Sequence, residues 1–299
     1  MSHEQQIQLD AILRQGRLDT AGDVQALRAA FNELMARVPV APDVRQRPVD
    51  IGGVAGVEVT VDGSEAENVI LYLHGGVYVI GTAASSIPLA SELVRRTGAR
   101  AITLEYRLGP EHPYPAAVDD ARAAYEGLLA QGIAPGHIAV VGESAGGGLA
   151  MVTLLALREA GLPLPSCAYV MSPYVDLTLS GGTLVEKRDA DPVLTPEGLR
   201  ARVPDYVGGA DASDPYISPM FADLTGLPPL LIHAGSHEIL LSDAVRLAER
   251  AALADVAVTL QVTPGVPHVF QGFAGLLDEA GVALDRASEF MQAQLGSAT

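Results

Sequence analysis

The sequence predicts an α/β protein built on a mostly parallel sheet, and three observations carry that prediction. Several runs are apolar without alternation, as strands buried on both faces must be: "NVILYLHGG" (68–76), "ARAITLEYR" (99–107), "HIAVVG" (137–142), "CAYVMS" (167–172) and "PLLIHAG" (229–235). Segments with apolar residues at helical spacing fall between them. Strand follows helix at the rhythm of βαβ units, which fixes a parallel sheet with helices on its faces.

Taken in order, the chain opens with a short helical pattern at 7–13. A longer one follows at 19–38, where Val24, Leu27, Phe31, Leu34, Met35 and Val38 share a face and Thr20 with Asp23 marks the start. Pro39, Pro42 and Pro48 then read as breaks. "VEVTVDG" (57–63) alternates and ends in a turn signal, as a half-exposed strand does. After it come the strand at 68–76, a helix at 85–97, the strand at 99–107 and a helix at 116–129. The strand at 137–142 is followed by a helix at 145–159, and the strands "CAYVMS" and "PLLIHAG" are separated by a Pro-, Gly- and Asp-rich stretch from 175 to about 227. That stretch has no strand pattern and reads as an insertion above the strand ends, where open α/β sheets bind ligands. "VTLQVTPG" (258–265) is the last strand, and a helix covers the region 273–295.

Composition narrows the function. The chain has 299 residues, 48% of them hydrophobic, enough for a sizeable core. The net charge of −17 provides no basic footprint for nucleic acid and disfavours anionic membrane surfaces. One cysteine, Cys167, allows no intrachain disulfide and reads as a small core residue. The N-terminal stretch has no basic region leading into an apolar run, and no stretch of about 18 apolar residues is present. The expectation is therefore a cytoplasmic protein with a small-molecule substrate.

The chemistry starts at "VVGESAGGG" (140–148), where an apolar strand runs into a serine fenced by glycines. Gly142-Glu143-Ser144-Ala145-Gly146 is a G-x-S-x-G pentapeptide with a strand before it and a helix after it, the context of a nucleophile elbow. A serine there sits on a strained turn, so the residues two positions away must be small. The helix behind it aims free amides and the positive end of its dipole at a developing oxyanion. Serine needs a base to be nucleophilic. Of seven histidines, His268 in "PGVPHVFQGF" follows a strand and precedes the last helix, at the carboxyl edge of the sheet. Two acids follow "PLLIHAG". Asp243 opens a helical pattern and has a ready reading as a first-turn charge, whereas Glu238 sits earlier in the loop without that duty. Glu238 is therefore preferred as the carboxylate that orients His268. The amides of an oxyanion hole are expected from Ala145, after the serine, and from Gly75 and Gly76 in "LHGGVYVIG".

With these pieces in place the sequence resembles the hormone-sensitive-lipase-like branch of the α/β-hydrolases, the bacterial esterases with an HGGG motif. The matching pieces are "HGGV" (74–77), "YRLGPEHPYPAAVDD" (106–120), "GESAGG" (142–147), "GSHEILLSD" (235–243) and "PHVF" (267–270), in the family's order and across most of the chain after residue 70. The resemblance implies an α/β-hydrolase fold: an eight-stranded, mostly parallel sheet flanked by helices, with a helical cap. The cap would comprise residues 1–45 and an insertion at about 176–226, and 46–299 would form the catalytic domain. It also implies ester hydrolysis without cofactor or metal, a preference for short to medium acyl chains, and in many members a homodimer. Carried over by position, Ser144 is the nucleophile, His268 the base and Glu238 the acid, with Gly75, Gly76 and Ala145 forming the oxyanion hole. Three departures stand out: Val77 in place of the fourth motif glycine, Glu143 before the serine where aspartate is more frequent, and glutamate at the acid position. The last two keep the charge.

Phe31, Leu34, Met35, Tyr206 and Phe221 offer pocket walls, or else pack cap onto core. A lactone, amide or carbamate hydrolase would use the same triad. A non-catalytic ligand receptor, as in plant hormone receptors that resemble this fold and have lost the histidine, is the reading from another class. The presence of His268 weighs against it.

Overall fold

The computed structural model describes residues 3–63 and 66–296. Its strands form one eight-stranded sheet in the order β1-β2-β4-β3-β5-β6-β7-β8. They are β1 (Val44–Ile51), β2 (Val54–Val61), β3 (Val69–Leu73), β4 (Arg100–Leu104), β5 (Ile138–Glu143), β6 (Cys167–Met171), β7 (Leu230–His237) and β8 (Val258–Pro267). β2 is antiparallel to both β1 and β4, and every other pairing is parallel.

Parallel strands need crossovers, and the helices supply them. The helices are α1 (His3–Gln15), α2 (Val24–Met35), α3 (Ile87–Thr97), α4 (Ala116–Ala130), α5 (Ala145–Glu159), α6 (Thr183–Glu186), α7 (Pro196–Val207), α8 (Leu241–Leu253) and α9 (Asp278–Gln294). Alternate residues of β3 serve opposite faces. Leu71 and Leu73 join a cluster with Leu149 of α5, Leu128 of α4 and Leu247 of α8, whereas Ile70 and Tyr72 join one with Leu93 of α3 and Leu284 of α9. Both faces are covered, which is why the central strands read as unbroken apolar runs. Cys167 lies in β6, fully buried.

β1 went unrecognised in the sequence, where Pro48 read as a break. It is an edge strand whose middle is exposed, so it carries polar residues and tolerates a proline that an inner strand would reject. The segment between β6 and β7 contains no strand but two helices. α7 starts properly, with Thr195 accepting the Gly198 N–H and proline at the first helical position, and ends at Gly208 in the left-handed conformation. Pro204 inside it obscured the pattern.

The N-terminal helices are fastened to the rest by arginine. Arg14 donates to the carbonyls of Asp189 and Ala190, and Arg17 to those of Asp191 and Pro192. Arg28 of α2 donates to the carbonyls of Val79 (2.7 Å) and Gly109 (2.8 Å) and forms a two-pronged pair with Glu111. Among the described residues no helix is long and apolar enough to cross a membrane.

Arg28 thus holds α2 against the loop that follows β3. Replacing it with alanine leaves two carbonyls without their donor and leaves Glu111 with Gln25 alone, and should lower the unfolding free energy by about 1–3 kcal/mol in a denaturant titration. An unchanged midpoint would mean that α2 is held by packing alone.

Candidate active site

Three strand ends meet at the carboxyl edge of the sheet. β5 ends at Glu143, and Ser144 follows with φ 52° and ψ −120°, a conformation L-residues rarely adopt. The turn is tied on both sides: the Ser144 N–H donates to the Met171 carbonyl, and the Ser144 carbonyl accepts from the Tyr174 N–H, each at 2.9 Å. It also closes tightly. A Cβ on Gly142 would lie 2.1 Å from the Gly146 carbonyl oxygen, and one on Gly146 would lie 2.0 Å from that of Leu73. Neither contact is sterically allowed, so both positions require glycine. α5 begins directly after Ser144, so the Ala145 N–H belongs to its first turn, which has no carbonyl partner within the helix.

β7 and β8 bring the other two residues together by register. Their ladder ends on the pair His237–Pro267, after an irregularity between Gly235 and His237. Glu238 and His268 are the next residue on each strand. Parallel strands leave the sheet at the same edge, so the two side chains meet: His268 Nδ1 and Glu238 Oε2 are 2.8 Å apart. Glu238 is fully buried, and His268 and Ser144 are each 6% exposed. The loop carrying His268 is pinned by the Val269 N–H, which donates to Ser172 Oγ at 3.0 Å.

Asp243, the competing acid, is engaged elsewhere. Its Oδ2 accepts the N–H groups of Val175 and Asp176, both at 3.0 Å, which anchors the start of the insertion to α8. Burial, with the charge of Asp176 adding to it and those two amides opposing it, raises its pKa to about 8.

The loop after β3 lies against the serine: a Cβ on Gly75 would approach the Ser144 Cβ and Glu143 to 3.2 Å. The Gly75 N–H is not directed at a ligand, however. It donates to Glu143 Oε1 at 3.3 Å, which departs from the expectation that Gly75 supplies an oxyanion donor. Glu143, the residue before the serine, takes up that amide. The N–H groups of Gly76 and Val77 have no acceptor among the described residues. Gly76 has φ 124°, and Val77 (46°) and Tyr78 (63°) continue the left-handed run, so the departure from glycine at Val77 is accommodated at the cost of strain. His74 is buried, stacked on Tyr106 at 4.1 Å, and bonded through Nδ1 to the Gly75 carbonyl; burial takes its pKa down to about 4. It is a neutral strut of this loop at physiological pH.

Of the proposed pocket walls, Tyr206 of α7 is buried and stacks on Tyr78 at 3.8 Å. Phe31 and Met35 are half-buried, and Leu34 and Phe221 are exposed. Ser172 and Asp191, which support the His268 and Glu238 loops, were missed in the sequence. Each is a polar residue beside a proline, and nothing local distinguishes it from a turn former.

Burial by itself lowers the His268 pKa. The hydrogen bond and charge of Glu238, and the charges of Asp191 and Glu143, outweigh it and hold the imidazole above its ordinary value of 6.5. Burial, with the charge of Asp191 adding to it, raises Glu238 above its ordinary value, while His268 and the nearby Ser172 hydroxyl oppose the rise; Oε1 makes no hydrogen bond of ordinary geometry.

A serine on a strand-to-helix elbow, a histidine bonded to a buried carboxylate, and this sheet order define a class, the α/β-hydrolases. The chain belongs to it, since the model of a family described as having the alpha/beta hydrolase fold matches residues 70–272. Within the class it is a carboxylic ester hydrolase of the bacterial hormone-sensitive-lipase type. It is 39% identical to an esterase of Acinetobacter venetianus over 266 residues, covering 89% of this chain and 88% of that one. An acetyl-hydrolase of Streptomyces hygroscopicus is 42% identical over 227 residues, 76% of each chain. The crystal structure of an esterase from the bacterial hormone-sensitive lipase family superposes with a TM-score of 0.94 at 36% identity, covering 99% of this chain and all of the other.

A base that acts as neutral imidazole is switched off by protonation, so a raised pKa moves the active limb to higher pH. The pH profile of kcat/KM should rise through a midpoint above 6.5, and Glu238→Gln should move that midpoint down while lowering the plateau. A wild-type midpoint below 6.5 would contradict the field described for His268.

Proposed function

We propose that the ester hydrolysis proceeds by two-step acyl transfer at Ser144, with His268 as general base and Glu238 as the acid that orients it. The observation that carries this reading is the buried 2.8 Å bond between His268 Nδ1 and Glu238 Oε2 beside the serine elbow. Ser144 Oγ attacks the ester carbonyl while His268 Nε2 takes its proton. The negative charge that develops on the carbonyl oxygen is met by the N–H groups of Ala145 and Gly76, with Val77 as the next free amide of the same loop. The imidazolium, stabilised by Glu238, then gives its proton to the leaving alcohol, and water repeats the cycle on the acyl-enzyme.

We read the N-terminal helices and the insertion as a cap over this site, supported by the arginine bonds that join them. Short to medium acyl chains are the proposed substrates. The acetyl-hydrolase named among the relatives supports that range.

One experiment tests both parts, a p-nitrophenyl ester series assayed with the wild type, Ser144→Ala, Glu238→Ala and Asp243→Asn. Turnover should peak at short to medium acyl length. Ser144→Ala should cost several orders of magnitude and Glu238→Ala should also be severely impaired, while Asp243→Asn, which mimics the protonated acid, should stay near the wild type. Ser144→Ala keeping more than about a tenth of the wild-type rate would overturn the nucleophile. Loss confined to Asp243→Asn would overturn the acid, and a peak beyond about twelve carbons would overturn the chain-length range.

A further inference from the structure

A buried carboxylate that the acyl-transfer scheme leaves unused lies next to its acid. Asp191, in the loop ahead of α7, is fully buried. Its Oδ1 accepts the N–H groups of Val193 (2.7 Å) and Leu194 (2.8 Å), which winds the loop around the carboxylate. Its Oδ2 reaches across to the N–H of Ile239 at 2.8 Å. Ile239 is the residue immediately after Glu238. The Asp191 N–H donates to the Lys187 carbonyl, and its carbonyl accepts from Arg17 of the N-terminal segment.

Three main-chain amides from two separate segments hold this one carboxylate in place. Its charge interacts with that of Arg14 in the N-terminal helix. The carboxylate thus ties the loop ahead of α7 to the main chain next to Glu238. The groups whose charges act on His268 are Glu238 after β7, Asp191 in the insertion and Glu143 at the end of β5. Of the three, Glu238 is bonded to the ring and Glu143 to the Gly75 amide, and Asp191 is the one bonded to the main chain that carries the acid.

We propose that Asp191 is a positioning residue for hydrolysis: it fixes the main chain at Glu238 so that the carboxylate meets His268, and its charge adds to those of Glu238 and Glu143 in favouring the imidazolium formed during acyl transfer. The inference rests on the Ser144, His268 and Glu238 reading above. A residue that only held the insertion together would affect stability and leave the proton chemistry alone. One that acts through Glu238 and His268 must alter kcat and the pH profile.

The test measures kcat, KM and the pH midpoint of kcat/KM for Asp191→Asn and Asp191→Glu beside Glu238→Ala, with p-nitrophenyl butyrate as substrate and circular dichroism as the check on folding. Asparagine keeps the shape but loses the charge and one acceptor. It should lower kcat by about 10- to 100-fold, the scale of a misplaced catalytic group, with KM little changed and the midpoint below that of the wild type. Glutamate keeps the charge but displaces it, so kcat should fall while the midpoint stays raised. Wild-type kcat and midpoint in Asp191→Asn, a change in KM alone, or failure of both variants to fold would each overturn the proposal, the last by showing a role in stability only. Glu238→Ala separates the two readings. If it keeps wild-type turnover the triad reading fails, whereas if it is inactive while Asp191→Asn is normal only the present inference fails.

Discussion

The turn at Ser144 is the constraint on which the rest of the structure depends. A serine at φ 52° and ψ −120° costs on the order of 1–3 kcal/mol in backbone strain. It persists because its surroundings leave no alternative: β5 is buried along its length, the Ser144 N–H is given to β6, and Gly142 and Gly146 touch backbone on both sides. Gly146 rests on the last carbonyl of β3, Leu73, and on that of His74, so the elbow and the start of the loop after β3 are built against each other. The geometry that presents the hydroxyl is therefore the geometry that sets the loop after β3 against it.

The electrostatics follow from the same crowding. A buried imidazole on its own loses basicity, because burial disfavours its charged form. Here three carboxylates, each tied down by a different bond, reverse that effect. The bonds differ in kind. Glu238 meets the ring, Glu143 holds the loop after β3, and Asp191 holds the main chain that bears Glu238. In the proposed mechanism a histidine surrounded this way accepts a proton from the serine hydroxyl and carries the charge briefly. The N-terminal segment touches the same network through Arg17 on the Asp191 carbonyl.

Much of this was legible in the sequence, for identifiable reasons. The inner strands are buried on both faces, so "NVILYLHGG" and "HIAVVG" announce themselves by unbroken apolarity. The elbow is legible because its steric demand writes glycine at two fixed offsets. The pairing of Glu238 with His268 could be anticipated because both follow strands that end at one edge. What was not legible depends on contacts distant in sequence or on exposed positions. β1 lies on the sheet edge and carries Arg45, Arg47 and Pro48, which no periodicity rule marks as a strand. α7 contains Pro204 and hides among loop residues. The Gly75 amide was expected to face the ligand, but Glu143, from another strand, takes it. Asp191 lies 48 positions from the Ile239 amide that it accepts, a separation that no local pattern encodes.

The central claim is that the strained serine becomes covalently acylated during turnover. The most direct measurement is mass spectrometry of the enzyme acid-quenched in the steady state with p-nitrophenyl butyrate, followed by peptide mapping. The account predicts one butyryl group on the peptide spanning residues 138–158, at Ser144, and none on Ser144→Ala. Butyrylation at another residue, persisting in Ser144→Ala together with turnover, would contradict it.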